Sequence, residues 1–508
     1  MNRWCSRVPW ALVLTFLVAA GPLPAGAAAR DGSLVDAVKR LDRSLAGALL
    51  EQGVDVNEAG PDGTTAIHWA AHHGDIGIVT RLLAAGADAA ATNRYAVTPI
   101  WLAAENGHAA VVEALLRAGV DPNTGRGDSG ETVLMIAARG GYVDVLQRLV
   151  AHDADVNAAD RIRSQTALMW AAAERHRGAV TLLTEAGADL EARSGIGMTA
   201  LMFAIRAGAI DVTGELLDQG ADLEATAPDG TTMLVLSMLN AHWELAAHLL
   251  DRGADPNRDD PLHGRPLHVL AFMRRAENRG LSAWLPRRPT GAIDSIELAE
   301  LLLERGADIN DRIDWANRAR FPPHMALGMF PGVSFAGATP FFIAAKQCDV
   351  ELMTFLVANG ADPTLLNTDG MSPLLVAAGV GYVIGENAGT PEEALAAVQL
   401  LHALGHDATV VVTGAGGRGW GGGSALQGAV IRGAEGLVRW LIEEGVPLDH
   451  QMASGETALD LAQGSRLGIG YHVQPELAGI IREAMIARGL EVHGPSEREE
   501  HGPPAGRR

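Results

Sequence analysis

Apolar residues recur along this chain with a helical period that is interrupted at fixed intervals. From Thr98, the run Pro99-Ile100-Trp101-Leu102-Ala103-Ala104 reads as one short helix. Thr98 is a capping residue, and Pro99 fits the first helical position, where no backbone N–H is needed. Gly107 supplies a left-handed stop. Val111, Val112, Leu115 and Leu116 then form the apolar stripe of a second helix, closed by Gly119. Ala103 and Ala104 keep the first helix thin, so the second can lie close against it. Such a hairpin cannot bury its apolar faces alone and requires neighbours of the same kind.

Those neighbours are present. The Thr98 slot recurs at Thr65, Thr132, Thr166, Thr199, Thr232 and Arg265, with steps of 33, 34, 34, 33, 33 and 33 residues. It continues at Thr339, Ser372, Ser424 and Thr457. A Gly-Ala-Asp signature keeps step after the second helix at Gly86, Gly187, Gly220, Gly253, Gly306 and Gly360. Trp69, Leu102, Trp170, Phe203 and Leu236 share the position just before the paired small residues, and are expected in the core.

This pattern resembles the ankyrin repeat, with its Asp-Gly-x-Thr-Pro-Leu-His opening, Ala-Ala pair, Gly and closing Gly-Ala-Asp-x-Asn. The resemblance extends over nearly all of the chain after the first thirty residues. It implies an all-α helical-hairpin solenoid with short β-hairpin fingers, about eleven repeats preceded by a half-unit at 33–53.

Three departures from the repeat divide the chain further. Residues 1–29 read as a secretory signal peptide, with Arg3 and Arg7, an apolar run from Val8 to Ala20 and a small-residue cleavage site at Ala27-Ala28-Ala29. The array is expected over 30–490, and 491–508 as a polar, disordered tail. Within the array, insertions fall at 276–293, 311–336, 381–393 and 410–423. The first and third separate the two helices of a hairpin; the second and fourth lengthen a finger.

Composition narrows the partner class. A formal charge of −21 argues against nucleic acid, which wants a basic face, and favours a soluble monomer. Lysine occurs only at Lys39 and Lys346, so nearly every basic side chain is arginine, a bias that points to a GC-rich bacterial genome. Once the signal is removed, Cys348 is the only cysteine, and a lone thiol makes no internal disulfide. The apolar run of the signal is too short to span a bilayer, and no integral membrane segment is expected in the mature chain.

Candidate chemistry is thin. Gly414, Gly416 and Gly419 follow Val410-Val411-Val412 in dinucleotide-fingerprint spacing, but Trp420 and three more glycines stand where a helix should open. The stretch reads as a finger tip. His68 and His72 have metal-ligand spacing, with His73 beside them, yet the slot of His68 holds Met135, Met169 and Met202 in other repeats. That substitution pattern suits packing or loop bracing. No catalytic residue, metal site or cofactor is assigned.

Ankyrin arrays bind other proteins through finger tips and the concave helix face, so the resemblance implies a non-catalytic protein-binding scaffold, here of the cell envelope. The rivals are a small-ligand or peptide receptor pocketed by the inserted loops, and a secreted effector acting on a host protein. In either case the inserted stretches are the expected binding site, because they concentrate aromatics and arginines in a chain only 5% aromatic. The candidates are Trp284, Arg287, Arg288, Trp315, Phe321, Phe330, Phe335, Arg418 and Trp420.

Overall fold

All the hairpins but the one that begins at Arg265 start at a residue whose hydroxyl can satisfy an exposed helix amide. In the computed structural model, which describes residues 32–275, 291–313, 335–382, 389–412, 421–464 and 473–492, Thr98 is extended and its Oγ1 accepts the Trp101 amide at 3.4 Å. Thr132, Thr166, Thr199, Thr232, Thr339 and Ser372 cap in the same way. Twelve two-helix hairpins follow one another among the described residues, from Leu34–Lys39 with Arg43–Glu51 to Ala458–Ala462 with Pro475–Ala487. The expected half-unit at 33–53 is thus a two-helix hairpin.

Between the two helices of a hairpin the chain must turn through a left-handed residue. Gly74, Gly107, Gly141 and Gly208 provide it with φ near +70°. Leu41, Arg175, Ala241 and Cys348 take the same conformation without being glycine, with φ between +54° and +66°. Each stores strain of about 1 kcal/mol.

The described chain forms two compact units, Met1–Leu223 and Glu224–Arg508. In the first, Ile67, Ile100, Leu134, Leu168 and Leu201 are fully buried beside the alanine pairs, against Val79, Leu82, Val112, Leu115, Leu146 and Leu149 of the second helices. Fingers are short. Gly125–Arg126 pairs antiparallel with Glu131–Thr132, and single bridges such as Ala59 to Thr65 and Ala159 to Thr166 close others.

An asparagine ties each of several repeats to the next. Asn57 donates from Nδ2 to the Gly86 carbonyl at 3.2 Å and accepts the Asp88 amide at 2.8 Å. Asn123 does the same with Asp153 and Asp155, and Asn157 with Gly187 and Asp189. In the second unit Asn257 and Asn310 repeat the arrangement with Gly306, Asp308, Gly360 and Asp362.

One expectation needs correction. Trp69, Leu102, Trp170, Phe203 and Leu236 are half-buried and not core. At 100° per residue, Trp69 lies about 160° around the helix from Ala71, which faces the stack. The position therefore points along the inner face of the hairpins. The equivalents Ile136 in the first unit and Val269, Ile343 and Val376 in the second are buried, while Leu236 of the second unit stays half-buried.

Candidate functional site

The inner face differs between the units because of what lies on it. In the second unit, the Phe335 ring meets Phe272 edge-on with centroids 6.2 Å apart, and Lys346 Nζ stands 5.7 Å from its centre. Lys346 is itself buried. Further along, Gly379 and Val380 press against Gly428 so closely that a methyl group on Gly428 would lie 2.6 Å from the Val380 nitrogen. Gly428 occupies the position that holds Trp69 and Trp170 in the first unit, and the chain takes the space of the missing side chain. Tyr382 then stacks under the Arg432 guanidinium at 5.0 Å.

Of the nine expected binding residues, only Phe335 is among those described. It is half-buried and pins its segment to the array. Trp284, Arg287, Arg288, Trp315, Phe321, Phe330, Arg418 and Trp420 lie outside the described residues, as do the glycine fingerprint around Gly416 and the signal stretch.

The bases of the inserted stretches are well tied. Ile313 donates its amide to the Ala338 carbonyl at 3.0 Å and accepts from Gly337 at 2.7 Å, the paired base of a finger. Val412 N to Gly423 O at 2.9 Å closes the finger that carries 413–420 in the same way. The other two interrupt hairpins. Before 276–290, Arg274 donates to Asp349 at 2.7 Å and to Ser295 at 2.8 Å, and it pairs with Glu351. Arg275 reaches Glu393 at 2.9 Å. After 383–388, Thr390 and Glu393 form a capping box that opens the helix Pro391–Ala403, so the last three residues of the 381–393 stretch are a helical first turn.

In the first unit the inner face carries half-buried Trp69, Leu102, Trp170 and Phe203. Cations cover several of the rings. Lys39 Nζ is 5.0 Å from Trp69, and Trp170 has Arg139 at 5.6 Å and Arg163 at 6.0 Å. Arg126 stands 5.6 Å over Trp101. Distances of this order are those of cation–π attraction. Arg139 and Arg126 come from a helix end and a finger 31 and 25 residues from the rings they cover, and Arg163 from the finger before Trp170, so helical spacing does not reveal them; the helical wheel of Trp170 against Ala172 carries the only signal.

The remaining candidates have structural work. His68 Nδ1 accepts from the Thr65 amide at 3.2 Å and its hydroxyl at 2.8 Å, which leaves Nε2–H to donate to the Val97 carbonyl at 3.1 Å. Burial holds its pKa below the ordinary histidine value, the finger carbonyl opposing. Both nitrogens brace loops, as a position shared with methionine suggests. Cys348 is fully buried and donates to the Ala377 carbonyl at 3.5 Å. Burial raises its thiol pKa, the opposite of what a nucleophile needs. No helix among the described residues is long and apolar enough to cross a membrane.

The chain matches a family described as ankyrin repeats (3 copies) at residues 27–126, 123–194 and 193–260. Among solved structures, the human ASB11 ankyrin repeat domain is 24% identical, covering 44% of this chain and 98% of that one with a TM-score of 0.39. No curated protein sequence matches. Through the family match over residues 27–260 and the same capped hairpins continuing to Ala487, the chain is an ankyrin repeat protein.

Proposed function

We propose that this protein is a non-catalytic binding scaffold that works outside the cytoplasm, exported by residues 1–29 and holding a protein partner on its finger loops and inner helix face. Ankyrin repeats generally mediate protein–protein interaction, and the single observation that carries the reading here is the set of half-buried Trp69, Leu102, Trp170 and Phe203 on four inner helices of the first unit, with only buried Ile136 interrupting it. Large apolar groups left half in water at regular spacing suit contact with an extended surface. The aromatics and arginines of the inserted stretches, from Trp284 to Trp420, add a second contact region within this proposal.

The test is photo-crosslinking in cells, with a benzophenone side chain placed at Phe203 in one strain and at Trp315 in another. Adducts to one protein, recovered from the envelope fraction, support the scaffold and its location. Recovery of the full-length, uncleaved chain in the cytosol overturns export. Absence of any protein adduct, together with thermal stabilisation by a small metabolite, overturns the scaffold in favour of a receptor.

A further inference from the structure

Three fingers of the first unit are laced into one platform. The Arg161 amide donates to the Ser129 carbonyl at 2.8 Å, and the Gly195 amide to the Arg163 carbonyl at 2.6 Å. The middle tip presents Ile162, 73% exposed, and the next tip presents Ile196, 57% exposed. Beneath the middle finger lies half-buried Trp170, flanked by Arg139 and Arg163.

Charge at this platform runs against that of the chain. Among the described residues no carboxylate pairs with Arg126, Arg161 or Arg163. Of the carboxylates on these fingers, Asp160 is buried and turned inward, accepting the amides of Ile162, Arg163 and Gln165 at 2.9, 2.6 and 2.9 Å, while Asp128 on the first finger is exposed. Glu131 is engaged by Arg139 at 3.1 Å. A cluster of arginines thus stands on fixed fingers in a protein whose formal charge is −21.

We propose that this platform docks an acidic polypeptide segment that carries apolar side chains. Carboxylates of the segment meet Arg161 and Arg163, and its apolar groups pack between Ile162, Ile196 and Trp170. Arginine and tryptophan are the types that dominate interface energetics, and the hydrogen bonds between fingers remove the ordering cost that a mobile loop would add. A nucleic acid would also seek arginine and aromatic rings, but a phosphate chain would meet repulsion from the strongly acidic remainder and would leave the isoleucine tips without a partner. The inference rests on the scaffold reading and adds the chemistry of the partner.

The test pans a random fifteen-residue peptide display library on the full-length protein, then measures enriched peptides against wild type and an Ile162→Asp, Arg163→Glu double variant. The expected pool is rich in Asp and Glu with Phe, Trp or Leu between them. Its members should weaken with added salt and lose about tenfold or more in affinity for the double variant, while that variant unfolds as wild type does. Ile196→Asp alone should weaken the same peptides and guards against a folding defect in the double variant. A pool with no acidic excess overturns the inference. So do acidic peptides that bind the double variant equally well, or an oligo-dT probe that binds and displaces them. Peptides that bind elsewhere leave the scaffold standing while this docking site falls; an empty pool with no crosslinked partner removes both.

Discussion

Gln427 does in its repeat what His68 does in another: each accepts from its own helix cap and donates to the next finger. Gln427 Oε1 accepts the Ser424 amide at 2.8 Å and hydroxyl at 3.0 Å, and Nε2 donates to the His450 and Glu456 carbonyls at 3.1 and 3.0 Å. The slot therefore asks for an acceptor and a donor on a side chain of fixed reach. Met135 and Met202 supply only the weak acceptor, with Sδ at 3.4 and 3.5 Å from the cap amides. His68→Gln should be close to neutral, whereas His68→Leu should cost about 1–3 kcal/mol by stranding the Thr65 amide and leaving the Val97 carbonyl with only the Asn93 amide. Urea unfolding of the two variants separates these outcomes.

His268 makes the second unit sensitive to mild acid. Burial lowers its pKa from 6.5 to about 4, with the Asp311 carbonyl at 3.0 Å from Nε2 opposing. The folded imidazole stays neutral while the unfolded one takes a proton, so its contribution is whole above pH 6.5 and is lost as pH falls towards 4. By pH 5 the loss is about 2 kcal/mol. Hydrogen exchange in the helix Pro266–Met273 should quicken between pH 7 and 5 in wild type, after correction for intrinsic rates. The change should be smaller in His268→Gln. Equal profiles for the two proteins would remove the assignment.

Phe203 and Leu201, two residues apart on one helix, should respond differently to truncation. Leu201 is 1% exposed, and Leu201→Ala should cost about 2–5 kcal/mol. Phe203 is half-buried on the inner face, so Phe203→Ala should cost about 1–2 kcal/mol, chiefly its partial burial. Thermal unfolding of each single variant gives the comparison, and a larger loss at Phe203 would return that position to the core.

Gly428 should tolerate no side chain. A methyl there meets the Val380 nitrogen at 2.6 Å and the Gly379 carbonyl carbon at 2.8 Å, both backbone atoms that cannot rotate away. Gly428→Ala should cost about 1–3 kcal/mol, with protection lost first in the helices Pro373–Ala378 and Ala425–Arg432. Gly479→Ala, where nothing lies within 4 Å, is the matched control and should be neutral or slightly stabilising.

Much of the fold was legible because punctuation is local. A threonine cap, a proline after it and a left-handed glycine act through neighbouring backbone, so Thr98, Pro99 and Gly107 identify their own roles. The direction of Trp69 and Trp170 was misread because an apolar side chain on a short helix was assigned by its type and not by its angle. The partners of Trp170 were not readable at all. Arg139 and Arg163 reach it from a helix end and a finger, and such meetings depend on the path of the chain between them. Likewise, nothing in the sequence distinguishes Phe335, folded onto Phe272, from the other aromatics of its insertion.

The asparagine bridges have a consequence for inheritance. Asn123 sees only a carbonyl and an amide of the unit that follows, and Asn157 offers the same pair of bonds one unit later. An in-frame excision of residues 124–157 would therefore bring Asn123 to Gly187 and Asp189 with its bonding intact, and a tandem duplication of the same block would add a unit by the reverse step. Genes for the first unit can change length by unequal crossing-over without breaking this seam. The second unit has contacts written for particular neighbours, Arg274 to Asp349 and Gly379 to Gly428, and an exchange there would separate them. Length variation among descendants of this gene should accordingly gather before Leu223.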